Sequence, residues 1–493
     1  MFQAYAVTQV RAAEDRVRAE LEEGELMQRA ARGLAEVVAA RAGQVGAARI
    51  VALAGPGDNG GDALHAAALL AGQQPVAVVG IASRLHAQGL AAAREVGLLV
   101  HEVDPDADVL PDEVAALLAE ADLVVDGLLG IGGRPGLRGA MALAVEEVPD
   151  TAYLLAVDLP SGADPAGLEA LGEAVFADET VTFGMLKPVH LLPATEPAVG
   201  RLTVVDIGVQ MDVAPVVERL EHADVARLWP VPGPQDHKYS RGVLTVVAGS
   251  DTYPGAAVLC ATAAVQAGAG MVRYLGPRRA EDLVLAACPE VVPGEGRAQA
   301  AVVGPGIEID PEISPEGKDE QDGRVRELLA ADLPLVIDAG ALALVSRMPQ
   351  RTAPTLLTPH AGEAARLLTA LGREVSREDV EADPVGQARW LAERTGATVL
   401  LKGSTTVIAD PDPEAPVRVQ GDAPAWVATA GAGDVLAGLA GTLLAAGLDS
   451  RDAGSLAALV HGVAAHRATP GGPVRALAVA HAIPGTVAEL LRR

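Results

Sequence analysis

The sequence is short of several residue types, and each scarcity excludes something. Its two cysteines, Cys260 and Cys288, form no C-x-x-C pair and are too few for a disulfide framework. Aromatic residues make up 2% of the chain, so Ala, Val and Leu must fill the interior, and closely packed helices and strands are expected. Gly, Pro or a charge interrupts each apolar stretch before about 18 residues, so no membrane span is evident. The opening residues MFQAYAVTQVRAAEDRV lack the basic-then-apolar order of a signal peptide. The expectation is a soluble cytoplasmic protein. Lysine is rare as well: Lys187, Lys238, Lys318 and Lys402 stand among 38 basic residues, and Asn59 is the single asparagine. The pattern suggests drift toward Ala, Gly, Arg and Pro. The surviving Lys and Asn are then enriched for positions that need a compact ammonium or a neutral amide. Lys318, in the loop EGKDEQDG, reads as an ordinary solvated charge.

Against these scarcities stand 493 residues, half of them hydrophobic. At roughly 100–200 residues per domain this suggests two to four domains, each able to bury a core. The formal net charge of −27 repels phosphate backbones and argues against nucleic-acid partners. It leaves room for a small anionic ligand, because a nest of backbone N–H groups can hold phosphate inside an acidic protein.

Along the chain, Val10 to Arg41 carries apolar residues at helical spacing without Pro. Arg49 to Ala54 then reads as a buried strand, Gly55 to Asp62 as a Gly-rich turn, and Ala63 to Ala71 as a helix. Further apolar runs follow: PVAVVGIA, DLVVDGLLG, AYLLAVDLP, ETVTFG and GRLTVVDIG. Strands alternating with helices imply an α/β fold, a parallel sheet covered on both faces, with ligands at the carboxyl ends of its strands. The alternation lapses after Val209. Residues 1–212 are read as a first domain, 213–236 as a connector ending in Pro and Gly, and 237–493 as a second α/β series. That series opens with GVLTVVAGS and runs through AAVVGPG, LPLVIDAG, APTLLTPH, ATVLLKG and TTVIAD.

The sharpest motif of the second series is Thr429-Ala430-Gly431-Ala432-Gly433-Asp434, followed by the helical run VLAGLAGTLLAAG. Glycines let backbone N–H groups approach an anion, and the helix adds its positive end. A carboxylate at Asp434 can accept a hydroxyl proton while those groups hold a phosphoryl group. The blander possibility is that Asp434 only caps the helix. Around it stand His237 to Gly242, Gly249-Ser250, Pro254 to Ala257, Gly304-Pro305-Gly306, Asp338-Ala339-Gly340, Thr358 to Glu363 and Lys402 to Thr406. Gly306 can be a plain turn, His360 an ordinary loop histidine and Asp338 a helix start. His360 and Lys402, however, each follow a strand at the sheet's functional edge. With these motifs the half resembles the ribokinase-like superfamily, and within it the ADP/ATP-dependent NAD(P)H-hydrate dehydratases. The resemblance implies a ribokinase-like α/β sandwich. It assigns Ala256, Gly306, His360 and Asp434 to a hydrated nicotinamide substrate. It gives Lys402, Gly403, Ser404, Thr405, Thr406 and Gly433 to an adenine nucleotide, ADP or ATP, with Mg²⁺ bridging its phosphates. Asp434 becomes the catalytic base that prepares the ring hydroxyl for phosphorylation, after which phosphate leaves and NADH or NADPH is restored.

In the first half, Gly55-Pro56-Gly57-Asp58-Asn59-Gly60-Gly61-Asp62 lies between strand and helix, where its N–H groups can cradle a pyrophosphate. Asp126 closes DLVVD and precedes Gly130-Ile131-Gly132-Gly133-Arg134-Pro135-Gly136. Asp158 and Ser161 lie in VDLPSG, again past a strand. Asp126 and Asp158 can be mere turn caps. The three loops in this order are similar to those of the NAD(P)H-hydrate epimerases, whose loop reads GxGNNGGDG. Here Asp58 replaces the first Asn and Ala63 the last Gly. The resemblance implies a Rossmann-like three-layer sandwich, K⁺ held by Asn59, Asp126 and Ser161, and Asp158 as acid/base. It places the hydrated NADH or NADPH on Asp58 to Asp62, Gly130 to Gly136 and Asp158. Lys187, in TFGMLKP, matches the family's segment with either a structural or a ligand-facing role.

Together the halves imply epimerisation of R and S hydrates, then nucleotide-dependent dehydration of the S hydrate, in a homo-oligomer without nucleic-acid or membrane partners. The competing reading is a sugar or hydroxymethylpyrimidine-like kinase fused to a non-catalytic binding domain.

Overall fold

The computed structural model of the protein describes residues 1–309, 320–348 and 350–492. Lys318 lies outside them. The chain divides into two compact units, Gln3–Val217 and Glu218–Arg493, with Met1–Phe2 counted in the second. The division falls at 217 rather than at the expected 212. The expected connector supplies the strand Val217–Arg219 and the helix His222–Leu228. Charge explains the terminal residues: the Met1 ammonium pairs with Glu221 at 2.6 Å and Asp224 at 2.8 Å.

In the first unit the spatial strand order is Val100–Val103, Val76–Ile81, Ile50–Ala54, Leu123–Gly127, Tyr153–Val157, Glu179–Phe183, Arg201–Val205. Every pairing is parallel. Strand Ile50–Ala54 is the first of the series, and the chain winds outward from it first one way and then the other. Loops leaving the strands on either side of that reversal diverge and open a crevice. Period-two alternation covers both faces. Ile50, Ala52 and Ala54 pack with Leu34, Val38 and Leu64, whereas Val51 and Leu53 pack with Val114, Leu118 and Val124. The helical pattern over Val10 to Arg41 resolves into two helices, Val7–Arg18 and Glu25–Val45. Gly24 separates them at φ 81°, a left-handed turn that glycine adopts without steric cost.

The second unit is built on strands Met271–Tyr274, Val243–Val247, Ala300–Val303, Leu335–Ile337, Thr355–Leu357 and Thr398–Leu401, paired in parallel in that order. Thr406–Ala409 and Val417–Gln420 then add antiparallel. TTVIAD, a run of the second α/β series, is thus an antiparallel addition to the sheet. Only a short turn separates it from Leu401, too short for the crossover that parallel neighbours need.

Small residues set the packing here. Helices Pro254–Gln266 and Ala432–Ala445 pack within one core. A Cβ at Gly438 would lie 2.2 Å from the Cys260 carbonyl oxygen. Both cysteines are buried, and burial pushes the Cys260 thiol well above its ordinary pKa, so it serves as packing. Gly438→Ala is expected to cost about 1–3 kcal/mol by overpacking and to lower the melting temperature of this unit. An unchanged midpoint in thermal denaturation contradicts the close approach.

Candidate active sites

In the first unit the expected turn Gly55 to Asp62 is mostly helix. The helix runs Asp58–Leu70, and only Gly55 to Gly57 form the loop. A Cβ at Gly55 would lie 1.7 Å from the Leu128 carbonyl oxygen, and one at Gly60 would lie 2.1 Å from the Gly55 oxygen. With no side chains in the way, the strand can turn straight into the helix. Its N-terminal N–H groups then sit at the sheet's carboxyl edge.

The three loops are stitched together there. The Asn59 amide donates to the Leu129 carbonyl at 2.9 Å and the Val157 carbonyl at 2.5 Å. The Ser161 hydroxyl donates to Asp126 at 2.6 Å, the Ser161 N–H donates to the same carboxylate at 2.9 Å, and the Leu129 N–H donates to the Ser161 hydroxyl at 2.8 Å. Burial pushes the Asp126 carboxyl up to about 6 despite these hydrogen bonds. The Gly130–Gly136 loop joins the group through the Gly136 N–H, which donates to the Gly162 carbonyl at 2.8 Å. Arg134 stands exposed at its rim.

Asp158 sits just past strand Tyr153–Val157 at φ 66°, unusual for a residue with a side chain. The Leu159 N–H donates back to the Val157 carbonyl at 2.8 Å, closing a tight turn around it. What holds this conformation is Lys187, whose ammonium meets the Asp158 carboxylate at 2.5 Å and the Thr182 hydroxyl at 3.0 Å. Thr182 also donates to Asp158 at 2.9 Å. His190 accepts from the Lys187 N–H through Nδ1 at 3.0 Å, so Nε2 carries the proton and donates to the Asp158 carbonyl at 2.7 Å. Burial keeps that imidazole neutral, its pKa pushed down to about 4. Burial also raises Asp158, but the Lys187 ammonium outweighs it and holds the carboxylate below its usual range. Lys187 is therefore the partner of Asp158. Sequence reasoning left that role open, and its rarity was the available signal.

In the second unit the strand ends converge likewise. The Lys402 N–H donates to the Pro359 carbonyl at 2.8 Å, which sets His360 beside Lys402. The Lys402 ammonium bonds Asp338 at 2.8 Å and lies 3.7 Å from Glu363. Burial lowers the lysine, but these two carboxylates more than offset it. Asp338 also accepts from the Thr358 hydroxyl at 2.8 Å. His360 caps helix Ala361–Ala370, its Nδ1 accepting from the Gly362 and Glu363 N–H groups. Gly403 and Ser404 are the exposed tip of the hairpin that Lys402 opens. A Cβ at Gly433 would lie 3.3 Å from the Lys402 ammonium, and one at Gly306 would lie 2.5 Å from the Ala256 methyl. Gly433 thus adjoins Lys402, and Gly306 adjoins Ala256.

Asp434 is not the cap of its helix. Gly431 holds that position at φ 89°, and Asp434 is the third helical residue. Its carboxylate accepts no hydrogen bond among the described residues. Burial, and then the charge of Asp338, push it up to about 7 against the pull of Lys402. From the sequence Asp338 reads only as a helix start, and it does precede the short helix Ala339–Arg347, whereas Glu363 is given no role there. Asp338 and Lys402 are far apart in the chain, so spacing does not reveal their contact.

A family model described as YjeF-related protein N-terminus matches residues 23–189, and one described as NAD(P)H-hydrate dehydratase matches residues 244–482. The bifunctional NAD(P)H-hydrate repair enzyme Nnr of Mycobacterium tuberculosis is 46% identical over 467 residues, covering 91% of this chain and 90% of the relative. The protein of the same name from Mycobacterium leprae is 43% identical over 477 residues, covering 94% and 93%. That from Escherichia coli is 32% identical over 467 residues, covering 90% and 84%. Among solved structures, the ADP/ATP-dependent NAD(P)H-hydrate dehydratase from Bacillus subtilis, co-crystallised with ATP/Mg²⁺, aligns with a TM-score of 0.50 at 26% identity. It covers 56% of this chain and 99% of its own. With matches spanning both units and their site loops, the chain belongs to the family of bifunctional NAD(P)H-hydrate repair enzymes.

Proposed function

We propose that the first unit interconverts the R and S hydrates of NADH and NADPH, and that the second dehydrates the S hydrate through a phosphorylated intermediate with ADP or ATP. The carrying observation is Asp434, a carboxyl that accepts no hydrogen bond among the described residues and is poised near neutrality in the first turn of a helix. The kinase alternative is not favoured, because the relatives that share both units are hydrate-repair enzymes.

In the second site the helix N-terminus and Gly433 receive the phosphoryl group, and Lys402 steadies the phosphates while anchored on Asp338. Asp434 accepts the ring hydroxyl's proton as that oxygen bonds to phosphorus and the nucleotide departs. The ring nitrogen's lone pair then expels phosphate, and loss of a ring C–H proton completes NAD(P)H. Mg²⁺, when bound with the nucleotide, neutralises phosphate charge. Asp338 and Glu363 are the hard oxygen donors that would hold its hydration shell.

In the first site Asp158 is an acid/base group of the epimerisation, exchanging a proton with the hydroxyl that leaves and returns. Asn59, Asp126 and Ser161 supply only oxygen ligands with a single carboxylate, a donor set suited to K⁺, which would brace the three loops. The fold contains no helix long and apolar enough to cross a membrane among the described residues. We place the enzyme in the cytoplasm as a homo-oligomer.

Asp434→Asn is expected to bind nucleotide yet lose roughly 10²–10⁴-fold in NADH recovery. In the parent, Asp434 must be ionised to act, so recovery from the S hydrate should rise with pH up to about 7 and then level. Near-normal turnover in a folded Asp434→Asn protein rejects the role. For the first site, Asp158→Ala should consume the S hydrate at the parent rate and the R hydrate only at the spontaneous rate of interconversion. In the parent, replacing K⁺ by tetramethylammonium should slow consumption of the R hydrate alone. Equal consumption of both epimers by Asp158→Ala refutes the division of labour.

A further inference from the structure

Asp62 has no place in the mechanism so far, although it is one of the most deeply buried carboxyls in the first unit. It is 7% exposed, and its Oδ1 is buried without a hydrogen-bond partner among the described residues. A buried polar atom left without a partner is costly, and such a group calls for an explanation. Its position supplies one. Asp62 stands one turn after Asn59 on helix Asp58–Leu70, and residues three apart share a helix face. Asn59 uses that face to hold the Val157 carbonyl at 2.5 Å, so the face is turned to the residue that immediately precedes Asp158. The charges that face Asp62 are Asp158, Asp58, Glu14 and Lys187.

We propose that Asp62 is a second catalytic carboxyl of the epimerase site and works as a pair with Asp158. The proposal rests on the reading of Asp158 given above. Inverting a hydroxyl-bearing carbon takes two proton transfers. The C–O bond breaks as the ring nitrogen's lone pair forms C=N⁺ and the departing oxygen takes a proton from one carboxylic acid, leaving as water. Water then adds to the other face, its oxygen bonds to carbon, and its proton goes to the other carboxylate. One group must start protonated and the other ionised. Lys187 holds Asp158 ionised. Burial, and then the charges of Asp158, Asp58 and Glu14, hold Asp62 well above the usual carboxylate range. After one inversion the proton has moved from Asp62 to Asp158. The site is then set for the reverse epimer, and exchange with solvent resets it, so no external reductant or oxidant is needed.

The test uses full-length protein, purified R hydrate, and the dehydratase unit's own NADH production as the readout, with nucleotide in excess. Asp62→Asn is expected to keep the parent KM for the R hydrate and to lose at least 100-fold in kcat. In the parent, kcat falls as rising pH ionises Asp62, and in Asp62→Asn that fall disappears. A merely structural role would not remove it. Retained kcat, or a loss with the fall intact, overturns the proposal. If Asp62→Asn does not fold, Asp62→Glu takes its place. A displaced midpoint of the fall supports the role, and an unmoved one overturns it. Asp158→Asn is measured alongside. If it retains epimerisation, the reading of the whole site fails. If it loses epimerisation while Asp62→Asn does not, only the role of Asp62 fails.

Discussion

A charge taken out of water must find its opposite, and in both units the sites are organised around one such requirement. Lys187 is 1% exposed and bonds Asp158. Lys402 is largely covered and bonds Asp338. An isolated buried ammonium costs several kcal/mol, so each lysine fixes where its aspartate must stand. Each pair lies at the carboxyl edge of a mainly parallel sheet, and each draws together loops from separate strands. The tight turn at Asp158, with φ 66°, persists because Lys187, Thr182 and His190 hold its carboxylate and carbonyl together.

The same pairs divide the remaining carboxyls into two kinds. The charge of the aspartate on each lysine helps raise the next carboxyl. In the first unit this separates Asp158 from Asp62. In the second, the charge of Asp338, added to burial, raises Asp434 to about 7. Acid/base work near neutral pH needs such a separation, since two identical exposed carboxylates would both be ionised and neither able to donate. The two units reach it with different topologies, so it comes from burial and pairing rather than from a shared fold.

What the sequence made legible follows from range. Strands with strong local patterns, such as Ile50–Ala54 and Val243–Val247, and the Gly-rich loops after them are set by neighbours in the chain. So were the rarities of Lys and Asn, which pointed to Lys187, Lys402 and Asn59 before any geometry. Contacts between distant residues were not legible. Nothing in the spacing ties Lys187 to Asp158 or Lys402 to Asp338. Local reading also failed where glycine has two uses. The run Gly55 to Asp62 was expected to be a turn, yet its glycines serve close backbone approach, and from Asp58 onward the residues are helical. The division at Val217 escaped notice because its strand is three residues long.

The two departures from the epimerase loop pattern find compensation in the same terms. Ala63 is buried where the family has glycine, and it faces Gly127, at which a Cβ would lie 2.6 Å from the Ala63 methyl. The space the extra methyl takes is left by a glycine opposite, so helix and strand keep their approach. Asp58 is exposed at the first position of helix Asp58–Leu70, where a negative side chain is favoured by the helix's positive end. It competes there with an anionic ligand for the same field, whereas the N–H groups of the helix's first turn remain directed at the crevice. If the loop holds a pyrophosphate, as proposed above, Asp58 lessens the net attraction, and the burden of affinity falls on the neighbouring loops, above all on Gly130–Gly136 with Arg134 at its rim.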